Sequence, residues 1–298
     1  MNIGKKEVLT GIVLIFILVI MNFFYYESAV YVAKGHGTVL SDNWWNALNW
    51  IRNNTEECAV IATYWDPGHF ITGIARRPVV FDGASQSATR TVEINGTNIT
   101  TSRIQDIATT LFTDDEEKAV EILKKYKKTG CDEMYYIASS DLIAKSQWWT
   151  YFSTWDKVTA KGTMYYYRQT SLAEAKPLLR EDAISYRYYA GTDEYGQDHF
   201  YVIYEKDNTL IPTYQIGNNF FNINKVINMD DGSEFINEES DIPGTVLLIN
   251  RKQILIHIPP ELENSLFTRM FFLNGYDLKH FQFVNNWGGE VKLFRIVF

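Results

Sequence analysis

The chain has 298 residues, 46% of them hydrophobic and 21% charged, with a formal net charge of −8. That balance is globular, excludes a disordered chain, and leaves room for one or two domains with a sizeable core. An acidic chain with no basic stripe, Walker loop or G-x-G-x-x-G is unsuited to a phosphate backbone, so nucleic acid is excluded as a partner.

Residues 8–24 read VLTGIVLIFILVIMNFF without a charge, and Tyr25-Tyr26 extend the run. At 1.5 Å per residue this crosses a hydrocarbon layer of about 30 Å. A cleaved signal peptide is the rival reading, but its apolar core would be about 7–15 residues long and followed by small residues. Here the run is longer and ends in an aromatic belt suited to the membrane interface, so 1–27 is read as an uncleaved anchor. Lys5 and Lys6 precede the span and Glu27 follows it. The positive-inside rule then puts the N-terminus in the cytoplasm and residues from about 30 onward outside: a single-pass protein of the cell membrane with an extracytoplasmic soluble part. Three triplets fit that location: Asn53-Asn54-Thr55, Asn95-Gly96-Thr97 and Asn98-Ile99-Thr100. Cys58 and Cys131 allow one disulfide in an oxidising space; two separate buried thiols remain an alternative.

Positions 27–40 read as a stalk. Ser41 or Asp42 caps a helix over 44–52, with Trp44, Trp45, Leu48 and Ile51 on one face. A short apolar strand, 59–63, runs into Tyr64-Trp65-Asp66-Pro67-Gly68, and 76–83 reads as a second strand ending in a turn. The Ser/Thr/Gly/Asn-rich stretch 84–102 reads as a surface loop, and 103–112 as a helix. Over 114–130, Asp114, Asp115, Glu116 and Glu117 open a helix that Lys124, Lys125, Lys127 and Lys128 close, complementing its dipole, with Gly130 as the C-cap. A second apolar strand, 134–138, leads into Ser139-Ser140-Asp141, then Lys145 and Trp148-Trp149. Strand, helix, strand at this spacing implies a parallel pair with a right-handed crossover.

From about 160 the pattern becomes short β-branched and aromatic runs at 164–168, 185–189, 199–205, 210–215, 246–250, 254–258, 281–284 and 291–297, separated by turn signals. One late helix is expected over 261–273, and the acids from Asp230 to Asp241 read as a solvated loop. The fold class is therefore α+β: an N-terminal transmembrane helix (1–27), a mixed α/β domain with parallel strands carrying both motifs (28–160), and a mostly antiparallel β region with a late helix (161–298).

Two parallel strands that each deliver an acid and paired aromatics from their carboxyl ends define a ligand position, because open α/β sheets bind outside those ends. Aromatic walls around a carboxylate and an ammonium suit a small polar group such as a hydroxyl in a half-dry pocket. Asp66 and Asp141 could instead act as paired acid and base in a glycosidase. The flanking aromatics and Lys145 favour a recognition pocket with its charge balanced. His69 with Asp66 and Asp82 follows no zinc spacing, and Ser139-Ser140 lacks a nucleophile elbow.

At these motifs the chain resembles the C-terminal soluble portion of the archaeal oligosaccharyltransferase catalytic subunit, the membrane enzyme of protein N-glycosylation that moves a lipid-linked glycan to Asn-x-Ser/Thr. The family's Trp-Trp-Asp-x-Gly is similar to Tyr64-Trp65-Asp66-Pro67-Gly68, with Tyr64 in place of the first Trp. Its Asp-to-Lys motif is similar to Asp141-Leu142-Ile143-Ala144-Lys145, with the spacing one residue longer than its commonest form. The segments 43–50 and 265–272 also look like the two ends of that soluble region. The resemblance implies substrate-binding roles for Tyr64, Trp65, Asp66, Asp141 and Lys145, with the first three holding the acceptor's +2 hydroxyl and Lys145 supporting them. It implies no catalytic residue and no metal ligand here. The divalent metal (Mg or Mn) and the catalytic acids would come from a multi-spanning membrane partner, so the chain would not be active alone. The alternative is a membrane-anchored, non-catalytic peptide-binding module.

Overall fold

The structure is a computed structural model that describes residues 5–35, 40–86, 88–94, 97–178 and 182–298. The chain divides into two compact units, Met1–Trp45 and Asn46–Phe298. The first is dominated by α1 (Lys5–Gly35), whose stretch Thr10–Val32 has a mean hydropathy of 2.0 and no buried surface. Twenty-three residues in that stretch give a length of about 35 Å, enough to cross a bilayer. Positions 27–35, expected as stalk, continue the helix; 36–39 lie outside the described residues.

Ser41 opens α2 (Asp42–Asn54): the Trp44 N–H donates to Ser41 Oγ at 3.2 Å. Ala47, Leu48 and Ile51 form its buried face. Trp45, expected on that face, is exposed, because at about 100° per residue it falls off the stripe through 44, 47–48 and 51. Arg77 closes the other end. Its buried guanidinium donates to the Arg52 and Thr55 carbonyls, both at 2.7 Å, and to Thr55 Oγ1 at 2.9 Å. A cation on the free carbonyls of a helix C-terminus satisfies them and meets the dipole.

The next elements are β1 (Val60–Ala62), α3 (Gly68–Phe70) with a π-helical turn (Ile71–Ala75), β2 (Thr89–Ile94), β3 (Thr97–Ser102), α4 (Arg103–Phe112), α5 (Glu116–Lys124), β4 (Met134–Ser139), α6 (Asp141–Ala144) and α7 (Ser146–Ser153). Strands β1 and β4 are parallel and buried throughout, in the register Val60↔Met134 to Ala62↔Tyr136. Ser102 caps α4 and Asp115 caps α5, each accepting a backbone N–H three residues on. The remaining elements are β5 (Arg168–Leu178), β6 (Ala183–Thr192), β7 (Asp198–Lys206), β8 (Thr209–Ile216), β9 (Asn219–Asn228), β10 (Glu234–Ile236), β11 (Ile242–Ile249), β12 (Ile254–Ile258), α8 (Pro260–Glu263), α9 (Leu266–Phe271), β13 (Phe281–Trp287) and β14 (Val291–Ile296).

Two larger sheets result. One has the order β1-β4-β14-β13, with helices α4, α5 and α9 contributing Ile107, Leu111, Leu123, Phe267 and Met270 to its core. The other has the order β10-β9-β11-β12-β5-β6-β7-β8, and an added β8–β9 pairing closes it into a largely antiparallel barrel around Tyr188, Tyr201, Ile203, Val226, Val246 and Leu255. The first sheet crosses the boundary expected at residue 160, since β13 and β14 return from the end of the chain to flank β4.

The mixed α/β architecture followed by antiparallel strands is the one expected; several local expectations are corrected. Within 84–102, β2 and β3 form a hairpin paired from Thr89↔Ser102 to Ile94↔Thr97. Alternating β-branched residues on either side of Asn95-Gly96 carried that signal, outweighed by the polar composition. Stretch 76–83 supplies one bridge, Val79 to Ile61, rather than a strand. Strand β5 starts at Arg168, where 164–168 was expected, and β9 and β10 were missed. The late helix breaks at Asn264-Ser265, where the Ser265 hydroxyl caps α9. Asn95 and Gly96 lie outside the described residues.

Cys58 and Cys131 are joined, with Cα atoms 5.8 Å apart, just before β1 and β4 respectively. The bond closes a loop of 73 residues and, in the chain-entropy account, contributes about 4 kcal/mol. Reduction, or the double change Cys58→Ser and Cys131→Ser, is expected to lower the unfolding free energy by up to that amount, read from the denaturant midpoint with and without reductant. Burial also holds the phenols of Tyr64, Tyr136, Tyr167 and Tyr188 well above the usual value of 10. The unfolded chain ionises them near pH 10 while the folded chain does not, so this contribution is complete below pH 10 and lost as pH rises. Absorbance at 295 nm is expected to show a tyrosine fraction that ionises only together with unfolding.

Candidate functional site

Because β1 and β4 are parallel, their carboxyl ends open on the same edge of the sheet. From β1 the chain passes through Thr63 into Tyr64-Trp65-Asp66, and from β4 it enters α6 at Asp141. Tyr64 is buried, its ring set edge-on to Phe81 at 6.2 Å. Burial pushes its phenol up, a hydrogen bond with Trp65 opposes this, and the charge of Asp66 adds to it. Tyr64 is thus a neutral group near pH 7. Gly68, the last residue of the motif, lies where a Cβ would stand 2.6 Å from Asp82 Cβ and 2.8 Å from Asp82 Cα. The glycine is there because two backbone segments touch. Asp82 itself is fixed by accepting from the Ser85 hydroxyl at 2.8 Å and the Ala84 and Ser85 amides at 3.1 and 3.0 Å.

Lys145 joins the two motifs. Its ammonium lies 2.7 Å from Asp141 Oδ2 and 3.0 Å from Asp66 Oδ2. Burial alone would lower its pKa; the hydrogen bond to Asp141 and the charges of Asp141 and Asp66 outweigh that and raise it. The Ser139 hydroxyl donates to the other Asp141 oxygen at 2.5 Å. Asp66 Oδ2 is buried, and although the ammonium is at ion-pair distance, no donor is aligned on it as a hydrogen bond. Two acids and one base leave the cluster with an excess negative charge, on an oxygen that still lacks a directed donor.

All five sequence-predicted residues therefore come together. Tyr64, Trp65, Asp66 and Lys145 line a cavity of about 390 Å³, while Asp141 holds Lys145 from behind. The aromatic pair on α7 divides: Trp149 is fully buried with its indole N–H on the Leu142 carbonyl at 2.9 Å, and Trp148 is 46% exposed and faces the cavity. Ile104, Phe152 and Gln86 complete the wall. Phe152 could have been found from its i+4 spacing to Trp148 on one helix face; Ile104 and Gln86 carry no local signal. The glycosidase arrangement is disfavoured by geometry, because the lysine occupies the space between the carboxylates where a glycosidic oxygen would enter. His69 is 3.6 Å from Asp82 and takes no part in the cavity. Among the described residues, the one cluster of possible metal ligands is Glu56, Cys58 and Cys131, and its two sulfurs are bonded to each other. These residues do not fit a divalent ion.

No protein-family model matches the sequence. The chain is 26% identical, over 82% of its length, to a dolichyl-phosphooligosaccharide-protein glycotransferase of Methanocaldococcus jannaschii, and covers 32% of that protein. It is 40% identical over 27% of its length to the second such glycotransferase of Pyrococcus horikoshii, covering 10% of it. The chain thus spans about a third of the length of the first of these relatives. Among solved structures, the C-terminal domain of PglB from C. jejuni superposes with a TM-score of 0.52 at 15% identity, over 85% of this chain and 99% of that one, which shows a shared fold. Sequence and fold together match the C-terminal soluble portion of an archaeal-type oligosaccharyltransferase, preceded by one apolar helix. That helix and the similarity to membrane proteins support association with a membrane.

Substituting Gly68→Ala forces apart Asp82 and the Phe81 carbonyl, 2.9 Å from the added carbon. A loss of roughly 1–3 kcal/mol is expected, read as a lowered melting temperature; an unchanged melting temperature would remove the close approach as the reason for the glycine.

Proposed function

We propose that the chain reads the acceptor sequon for an oligosaccharyltransferase, and that the cavity under Trp65 receives the hydroxyl of Thr or Ser two residues after the acceptor Asn. The observation that carries this reading is the buried Asp66 oxygen that lacks an aligned donor. An incoming hydroxyl supplies the missing hydrogen bond by donating to this oxygen, beside the Trp65 ring. Lys145 stabilises the anionic form of Asp66 and Asp141 holds Lys145 in place. Ile104, Trp148 and Phe152 shield the pair from water, where a hydrogen bond is stronger and an unmade one more costly. Transfer itself belongs to a multi-spanning membrane subunit, which brings the catalytic acids, the lipid-linked glycan and a divalent metal (Mg or Mn). In this reading the N-terminus is cytoplasmic, α1 crosses once and docks against that subunit, and the soluble part is extracytoplasmic.

The full chain in nanodiscs is expected to bind an Asn-x-Thr peptide about tenfold to a hundredfold more tightly than the matched Asn-x-Ala peptide, corresponding to the roughly 1–3 kcal/mol of an unpaired buried acceptor. Asp66→Ala is expected to erase that preference without loss of fold. Equal affinity for the two peptides in the parent chain would overturn the reading.

A further inference from the structure

The β-barrel holds a second polar cavity that the sequon reading does not use. The starts of β5 and β7 and the ends of β6, β8 and β12 lie at one end of the barrel, and there a cavity of about 490 Å³ opens over the interior rings Tyr201 and Tyr214. Barrel mouths are recurrent ligand positions. The register between β6 and β7 breaks between Tyr189 and Gly191, at the rim, as bulges do where a strand turns a side chain toward a site.

The geometry points to a binding site for a carboxylated saccharide at this mouth. Arg168, the first residue of β5, supplies the charge. Its Nη2 donates to Tyr166 Oη at 3.4 Å and its guanidinium lies over the Tyr166 ring at 5.5 Å. Among the described residues its side-chain partners are phenols, Tyr166, Tyr201 and Tyr214, and not a carboxylate. Its planar fork matches a carboxylate in bidentate fashion. The other charged and titratable groups do not compete for it. His257, the register partner of Arg168 on β12, is partly buried and within 3.3 Å of Tyr201 Oη; burial lowers its pKa and the arginine's charge adds to that, against a hydrogen bond to the Pro243 carbonyl. Asp193 is engaged by His199 at 3.3 Å and by the Tyr195 and Gln197 amides, and Asp198 accepts from the Thr192 hydroxyl.

The remaining surface favours a sugar over a peptide. Tyr166 and Tyr189 are 47% and 46% exposed and offer flat faces for a pyranose ring. An extended peptide would need a free strand edge, and β5, β6, β7 and β8 are each paired on both sides. This inference and the sequon reading rest on different residues, and either stands without the other.

The test is saturation-transfer NMR and titration of the full chain in nanodiscs with trigalacturonate, maltotriose, acetate and inorganic phosphate. Trigalacturonate is expected to bind at least tenfold more tightly than maltotriose, and Arg168→Gln to remove that advantage at unchanged melting temperature. Tyr189→Ala is expected to weaken trigalacturonate while keeping its advantage over maltotriose, which a merely unfolded variant could not do. Absence of trigalacturonate binding, equal binding of acetate or phosphate, or displacement by a short acidic peptide at the same concentration would each overturn the proposal.

Discussion

One ammonium between two carboxylates organises this molecule. Lys145 connects the segment that leaves β1 to the segment that leaves β4, two regions adjacent in space but separated in sequence by α3 with its π-helical turn, the β2–β3 hairpin, α4, α5 and β4. At the other end of the same parallel pair the Cys58–Cys131 bond does the equivalent work covalently. The β1–β4 unit is thus fastened at both ends. The disulfide fixes how far apart the strands start, and the ion pair fixes how the loops leave them. Half-exposed ion pairs contribute little to stability on their own. The importance of this one is positional, since it ties the Asp66 carboxylate to the segment that leaves β4.

Much of that site was legible before any coordinates. Two apolar runs followed by an acid, with a dipole-complemented helix between them, imply a parallel pair and hence a shared ligand edge. The grouping of Tyr64, Trp65, Asp66, Asp141 and Lys145 follows from that step and from the family resemblance. Ile104 and Gln86 were not legible because their place in the cavity is set by tertiary folding, and nothing local in α4 or its preceding loop announces it. Splitting Trp148 from Trp149 required knowing which face of a short helix meets the core. The β2–β3 hairpin was hidden by its composition, polar enough to pass for a loop although β-branched at alternate positions. Strands β13 and β14 were recognisable as strands, but no local pattern could assign them to the first sheet rather than the barrel. Topology of that kind is a property of the packed whole.

The two sheets divide labour by their geometry. The open sheet exposes strand ends and so exposes loops with acids and aromatics on them. The barrel has no exposed ends of that type except at its mouths, and there its tyrosine-rich lining surrounds a single arginine. One fold thereby carries two cavities of contrasting character, one largely aromatic with the Asp66–Lys145 ion pair in its wall and one with Arg168 among tyrosines.

The cap on α2 has a temporal meaning. Asn53-Asn54-Thr55 is a glycosylation triplet in this chain's own sequence, and its Thr55 hydroxyl donates to the Ile51 carbonyl while accepting from the buried Arg77 guanidinium. A hydroxyl occupied in both roles has nothing left to offer a reader of such triplets. In the extracytoplasmic placement proposed above, Asn53 is readable only while α2 is unformed. A sugar found there would date its attachment to biosynthesis, and a bare Asn53 would record that folding arrived first.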